Sequence, residues 1–267
     1  MKVNRNGLDI HLQISGPQDA PVVVLSHSLA TSLEMWMNQC RTLEADFRVL
    51  RYDTRGHGES AAPEGAYTLE GLADDVIGVL DALGVQRAHF VGISMGGMIG
   101  QRLALDHPQR LSSLVLCDTA ATIPDEAQPI WQQRIDTARR LGMKALARET
   151  LQRWFTPSFL EKNPPQVQRI HELILSTPVA GFVGCSEAIR RLNLLDRLAE
   201  IELPTLIVVG EDDPGTPPSN SEAIHARISG SVLEIIPAAA HLCNIEQAER
   251  FNAILSDFLT STTPPVL

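Results

Sequence analysis

The chain has 267 residues, 44% of them hydrophobic, which suits one sizeable α/β core carrying an insertion and falls short of two full domains. Lys and Arg number 22 against 32 Asp and Glu, a net charge of −10, which argues against nucleic acid or an anionic membrane as a partner. Four cysteines, Cys40, Cys117, Cys185 and Cys243, lie far apart with no C-x-x-C pair, so neither a metal site nor a disulfide framework is expected.

From the N-terminus onward there is no apolar run of signal-peptide length, and no stretch reaches the roughly 18 apolar residues of a membrane span. A soluble, cytoplasmic protein is the expectation. Residues 8–15 alternate apolar and polar side chains as a half-wet edge strand of an antiparallel hairpin would, and Gly16-Pro17 ends them. Residues 21–26 form an unbroken β-branched run, as in a strand covered on both faces, and feed the loop His27-Ser28-Leu29-Ala30-Thr31. An amphipathic helix over about 35–44 and a buried strand over 47–52 follow, then the glycine-punctuated turn Asp53-Thr54-Arg55-Gly56-His57-Gly58-Glu59-Ser60. Helical spacing of apolar residues runs from Leu69 to Leu83, with Thr68 placed to cap it and Gly84 to stop it. A strand over 88–93, a helix over 95–106 that is apolar nearly all round, and a strand over 111–117 complete an alternating β-α rhythm. Such a rhythm predicts a parallel sheet with right-handed crossovers.

The rhythm breaks at residues 122–191, where helical patterns rich in arginine and aromatics occur without strands, and we expect an inserted helical cap there. Residues 1–121 and 192–267 then make up the core. Strand patterns resume at 204–210 and 231–236, separated by a helix near 218–228. The last helix is expected over about 244–259, with Asn244 as its cap, Glu246 in its first turn, and a frayed tail over 260–267.

The chemistry centres on Gly92-Ile93-Ser94-Met95-Gly96, a G-x-S-x-G pattern at a strand-to-helix corner that would lift a serine hydroxyl clear of the sheet. Alone, such a short pattern also fits a glycine-rich turn. It gains meaning from two later loops, each following a strand: Glu211-Asp212-Asp213-Pro214 supplies an acid and Ala240-His241-Leu242 a base. A serine hydroxyl becomes a nucleophile when an imidazole takes its proton, and the imidazole needs a carboxylate to fix its tautomer. Chain order is Ser94, Asp213, His241. Asp213 is preferred over its neighbour Asp212 because of its spacing from Gly210 and its place before Pro214.

These stretches, with Ser26-His27-Ser28-Leu29 and Ala239-Ala240-His241-Leu242-Cys243-Asn244-Ile245-Glu246-Gln247, make the chain resemble the α/β-hydrolase superfamily over its whole length, and within it the 3-oxoadipate enol-lactonases. The resemblance implies an α/β-hydrolase fold: a mostly parallel eight-stranded sheet flanked by helices, with a helical cap. It also implies an oxyanion hole made by the backbone N–H groups of Leu29 and Met95, the second of which opens a helix whose first amides are unpaired. The chain departs from the superfamily at Ser28 and Ala30, where glycine is common. His27 is expected to organise its loop, and Arg55 and His57 to serve the turn structurally.

The implied reaction is acyl-enzyme hydrolysis of a lactone or ester, in the aromatic catabolism to which enol-lactonases belong, with no metal and no organic cofactor. A substrate carrying a carboxylate would need a local cation against the acidic surface. Arg134, one helical turn from Trp131, is the candidate; Trp131 and Trp154 are candidates for the pocket wall, and Arg153 is an alternative cation. A small-ester esterase or perhydrolase is the nearest rival, and a ligand-binding receptor on the same fold the rival of another class. A carbon–carbon bond hydrolase is disfavoured by the oxyanion loop, and a dehalogenase or epoxide hydrolase would need Asp in place of Ser94. The sequence leaves the oligomeric state open.

Overall fold

The structure, a computed structural model, describes residues 1–5 and 7–263. Its strands are β1 (Lys2–Arg5), β2 (Leu8–Ser15), β3 (Val22–Ser26), β4 (Arg48–Tyr52), β5 (Ala88–Ile93), β6 (Leu111–Cys117), β7 (Thr205–Gly210) and β8 (Val232–Ile236). They form one eight-stranded sheet in the order β1-β2-β4-β3-β5-β6-β7-β8. β2 pairs antiparallel with both β1 and β4, and every later pairing is parallel. The expected mostly parallel α/β sheet is therefore present. No strand was expected at β1, because the tetrapeptide KVNR has no periodic signal; pairing of Val3 with Ile10 makes it one.

The helices of the first half are α1 (Met37–Leu43), α2 (Leu69–Ala82) and α3 (Met95–Asp106). Thr68 caps α2 by accepting the Gly71 N–H at 3.1 Å, an interaction typically worth about 1 kcal/mol. α3 packs on β5 and β6 with α2 beside it. Both β5 and β7 are buried along their whole length, which explains why their sequences are apolar runs and not alternating ones.

Between β6 and β7 come five helices: α4 (Gln128–Leu141), α5 (Lys144–Trp154), α6 (Pro157–Lys162), α7 (Pro165–Ser176) and α8 (Val179–Ile189). Prolines stand in the first turn of α4, α6 and α7, where a missing N–H costs nothing. The two ends of this interval are tied together by an antiparallel bridge between Thr122 and Asn193, flanked by Leu194 N–H donating to Ala121 O at 2.8 Å. Among the described residues no single helix is long and apolar enough to cross a membrane. α7 and α8 reach that length only as a pair bent by 95°.

The chain closes with α9 (Pro218–His225), α10 (Cys243–Glu246) and α11 (Ala248–Thr262), and α11 packs on α1 and β6. The expected single terminal helix is thus two, broken at Gln247. Asn244 does not cap it. Its side chain is buried within α10 and donates to Gln39 Oε1 at 3.2 Å. Helix continues to Thr262, beyond the expected end, and residues 264–267 of the expected frayed tail lie outside the described residues.

Candidate active site

Ser94 occupies the corner between β5 and α3 with φ 54° and ψ −116°, a conformation costing a non-glycine residue about 1–3 kcal/mol. Hydrogen bonds hold it there. Its N–H donates to Cys117 O at 2.8 Å, and its carbonyl accepts from Thr119 Oγ1 at 2.7 Å and Met98 N–H at 3.1 Å. The flanking glycines are steric necessities. A Cβ on Gly92 would sit 2.2 Å from Gly96 O, and one on Gly96 the same distance from Ser26 O. Either substitution would force backbone apart, so strand, helix and the loop after β3 meet at this corner only without side chains.

The loop after β3 turns at Ala30, φ 60°, which gives the physical reason glycine is common at this position in the superfamily. Two buried histidines frame it. His27 Nδ1–H donates to Ser28 O at 2.8 Å while its Nε2 accepts the Thr54 N–H at 2.9 Å, and His57 Nε2 accepts the Ala30 N–H at 3.0 Å. Burial lowers both imidazoles below their ordinary pKa, His57 to about 3 with the neighbouring His27 adding to the effect. Both stay neutral near pH 7 and act as fixed acceptors of backbone N–H groups. Arg55, in the same turn, makes a two-point ion pair with Asp75 at 2.6 and 2.8 Å. Among the described residues the amides of Leu29 and Met95 donate to no protein acceptor.

Asp213 and His241 are brought together, Nδ1 to Oδ2 at 2.7 Å, both almost fully buried. Asp212 is exposed and its N–H is tied to Ala239 O, so it is Asp213 that reaches the imidazole. The remaining lone pairs of Asp213 are filled by Gly215 N–H, Thr216 N–H and Thr216 Oγ1 at 2.7, 3.1 and 2.7 Å. Burial alone would raise the Asp213 carboxyl, but His241 and the Thr216 donors outweigh it and hold it below the usual carboxylate range. Burial likewise pulls His241 down, yet its partner Asp213 outweighs burial and the nearby Arg153 and leaves it above its ordinary value. With Nδ1 committed to Asp213, Nε2 is the nitrogen left to move a proton. Thr216 is a residue that sequence reasoning missed. Its only signal was a threonine three residues past an acid.

Elbow and base loop meet over the end of β6. Cys117 O receives the Ser94 N–H, and the next residue, Asp118, lies 2.8 Å from the thiol of Cys243, two residues beyond His241. From above, Trp154 at the end of α5 stacks on the His241 ring at 6.2 Å and 23°, and its carbonyl accepts the Leu242 N–H. Glu246 adds a second link. One oxygen takes the Ala240 N–H at 2.7 Å and the other the Thr156 N–H and hydroxyl at 3.0 and 2.6 Å, so its carboxylate fastens the base loop to α6.

Arg134 lies apart from this pair, on α4. Its guanidinium stacks on Trp131 at 4.6 Å and on Phe182 at 5.8 Å, and its Nε is buried with no hydrogen-bond partner. Among the described residues it forms no ion pair. Burial and the charge of Arg153 depress it, and only the nearby Glu149 opposes them. Arg153, whose closest acid is Glu149 at 4.0 Å, is felt at Arg134 and at His241 alike, so both clusters lie within reach of one charge.

The chain belongs to the α/β-hydrolase-fold family, whose pattern matches residues 21–248. Its sequence is 38% identical over 261 residues to 3-oxoadipate enol-lactonase 1 of Acinetobacter baylyi, covering 98% of this chain and 97% of that protein. The crystal structure of the enol-lactonase from Burkholderia xenovorans LB400 superposes with a TM-score of 0.94 at 40% identity, over 97% of this chain and all, 100%, of that one. A thermophilic esterase from Thermogutta terrifontis, solved with malate bound, gives a TM-score of 0.93 at 30% identity, over 99% and 100% of the two chains.

Proposed function

We propose that this chain is a serine hydrolase of lactones and carboxylic esters. The observation that carries this reading is the strained Ser94 at a glycine-flanked corner, beside the two loops that bring Asp213 and His241 together as a buried pair. Ser94 Oγ attacks the carbonyl carbon as His241 Nε2 takes its proton, and the oxyanion enters the space between the amides of Leu29 and Met95. Each such donor typically contributes about 3–4 kcal/mol to the transition state. Collapse breaks the acyl–oxygen bond, His241 returns the proton to the departing oxygen, and water repeats the sequence to free the acid. Asp213 stays ionised throughout and orients the ring.

The substrate we assign is an enol-lactone bearing a free carboxylate, of which 3-oxoadipate enol-lactone is the case suggested by the relatives. Its departing oxygen is an enol, which becomes a ketone once released, so the opened ring does not readily close again. Arg134 supports this reading, because its half-buried guanidinium has an Nε without a hydrogen-bond partner and no ion pair among the described residues, and a substrate carboxylate would supply one. Trp131 orients that guanidinium, and Trp154 roofs the base. Residues 122–191 act as the cap over a core of residues 1–121 and 192–267. All four cysteines are free and buried, which fits a reducing cytoplasm.

Hydrolysis of small neutral esters is the second reading, favoured by the net charge of −10, which repels an anionic substrate at long range. A screen of the purified protein against carboxylate-bearing enol-lactones, saturated lactones and p-nitrophenyl esters separates them. The first reading requires the highest kcat/KM on the enol-lactone acid and a lower one on its methyl ester. Equal rates on acid and methyl ester support the second, and no turnover with tight retention of the lactone would make the chain a receptor.

A further inference from the structure

Asp118 follows β6 immediately and is fully buried, in a left-handed conformation with φ 41° that a non-glycine residue adopts at some cost. Its two oxygens have separate tasks. Oδ1 accepts the N–H of Gly210, the last residue of the strand that launches the acid loop, at 2.8 Å. Oδ2 lies 2.8 Å from Cys243 Sγ, in the short helix that follows His241. The two loops touch directly as well: Asp212 N–H donates to Ala239 O, and a Cβ on Gly210 would sit 2.3 Å from Ala240 O. Nothing in the reaction proposed above uses this carboxyl.

We infer that Asp118 is a positioning residue, a buried clamp that ties the strand end carrying Asp213 to the turn carrying His241 and so sets the distance between acid and base. This inference rests on the reading of Asp213 and His241 as partners of Ser94. The clamp differs from a neutral spacer in one respect. The groups facing it are the Gly210 amide from β7, Asp213 from the acid loop, His241 and Cys243 from the base loop, and Cys117 from its own strand. Among these Asp213 is already an anion, and burial first, then Asp213, push the Asp118 carboxyl up to about 8, while His241, Cys243 and Gly210 oppose them. Asp118 therefore holds a proton at neutral pH, and above that its charge adds to the field that Asp213 already exerts on His241.

Asp118→Ala removes the clamp; Asp118→Asn keeps an acceptor for Gly210 and a polar group opposite Cys243 Sγ but cannot ionise. Steady-state kinetics, thermal melting and the downfield proton NMR signal of His241 Nδ1–H are measured for both. For Asp118→Ala we expect kcat to fall about 30-fold with KM within about threefold of the parent, and the His241 signal to shift or vanish. Asp118→Asn should recover most of that kcat and keep the signal, yet its pH profile should lack the inflection expected of the parent, whose Asp118 carboxyl is pushed up to about 8. An Asp118→Ala protein with parental kcat and an unmoved signal would overturn the inference, as would superimposable pH profiles for Asp118→Asn and parent. If Asp118→Ala does not fold, Asp118→Ser, which is polar but too short to span Gly210 and Cys243 together, is measured in the same way and against the same outcomes. If the parent hydrolyses no ester or lactone, the reading of function fails on its own, and the His241 signal alone tests the clamp.

Discussion

The strand-end loops and the five-helix interval handle buried polarity in opposite ways. Around Asp213 every lone pair is filled by a donor at 2.7 to 3.1 Å, and His27 and His57 are each spent on backbone N–H groups. In the helical interval Arg134 is surrounded by Trp131 and Phe182, with a buried Nε that meets no acceptor. A satisfied network keeps one geometry whatever is bound, which suits groups that must be aligned before substrate arrives. An unsatisfied charge lowers its free energy only when something binds, which suits recognition. In the function proposed above, the chemistry belongs to the sheet loops and the choice of substrate to the helical interval.

The first way to break this division is at the sheet. Ser94→Ala or His241→Ala should each lower kcat by about 10⁴-fold or more in a protein that remains folded. A residual rate within tenfold of the parent would place the chemistry elsewhere. Asp213→Asn should cost about 10³- to 10⁴-fold and also move the pH profile. Asp213 holds His241 above its ordinary value of 6.5, and only neutral His241 can take a proton, so kcat/KM should fall on the acid side with a midpoint above 6.5. In the Asn variant that midpoint should drop, and an unchanged acid limb would remove Asp213 from its role.

At the cap the expected effect is smaller and of another kind. Arg134→Ala should raise KM for a carboxylate-bearing lactone by about 30-fold, the cost of leaving the bound carboxylate without its cation, and move a neutral ester by less than about threefold. Equal changes for both substrates would sink the assignment. The smallest effect concerns the joint between the regions. Glu246→Gln weakens the contacts to Ala240 and Thr156 and should cost about 1–2 kcal/mol, read as a lowering of Tm by several degrees, with KM unchanged. A parental Tm would mean the link carries no load.

Much of the sheet side was legible in the sequence because its signals are local: apolar runs for buried strands, glycines at the elbow, an acid and a histidine each just past a strand. Their convergence follows from topology, since loops at the C-terminal edge of a parallel sheet share one side. What escaped notice depends on contacts between distant residues. Asp118, one position past a strand, carried no signal of its own; its role needs Gly210 and Cys243, 92 and 125 positions away. Glu246 read as a first-turn acid, while its partner Thr156 is 90 positions earlier. The break at Gln247 and the strand β1 were invisible for a related reason, as tertiary packing and not local propensity decides such short elements.

The most direct test of the account is to trap the intermediate. With an enol-lactone as substrate, ring opening on Ser94 adds the whole mass of the lactone to the enzyme, because the departing oxygen stays attached. Rapid acid quench during turnover, followed by intact mass and peptide mapping, should find one adduct of that mass on the peptide containing Ser94, decaying as water completes the cycle and absent from Ser94→Ala. An adduct confined to a peptide other than that of Ser94, or one that persists in Ser94→Ala, would contradict the mechanism.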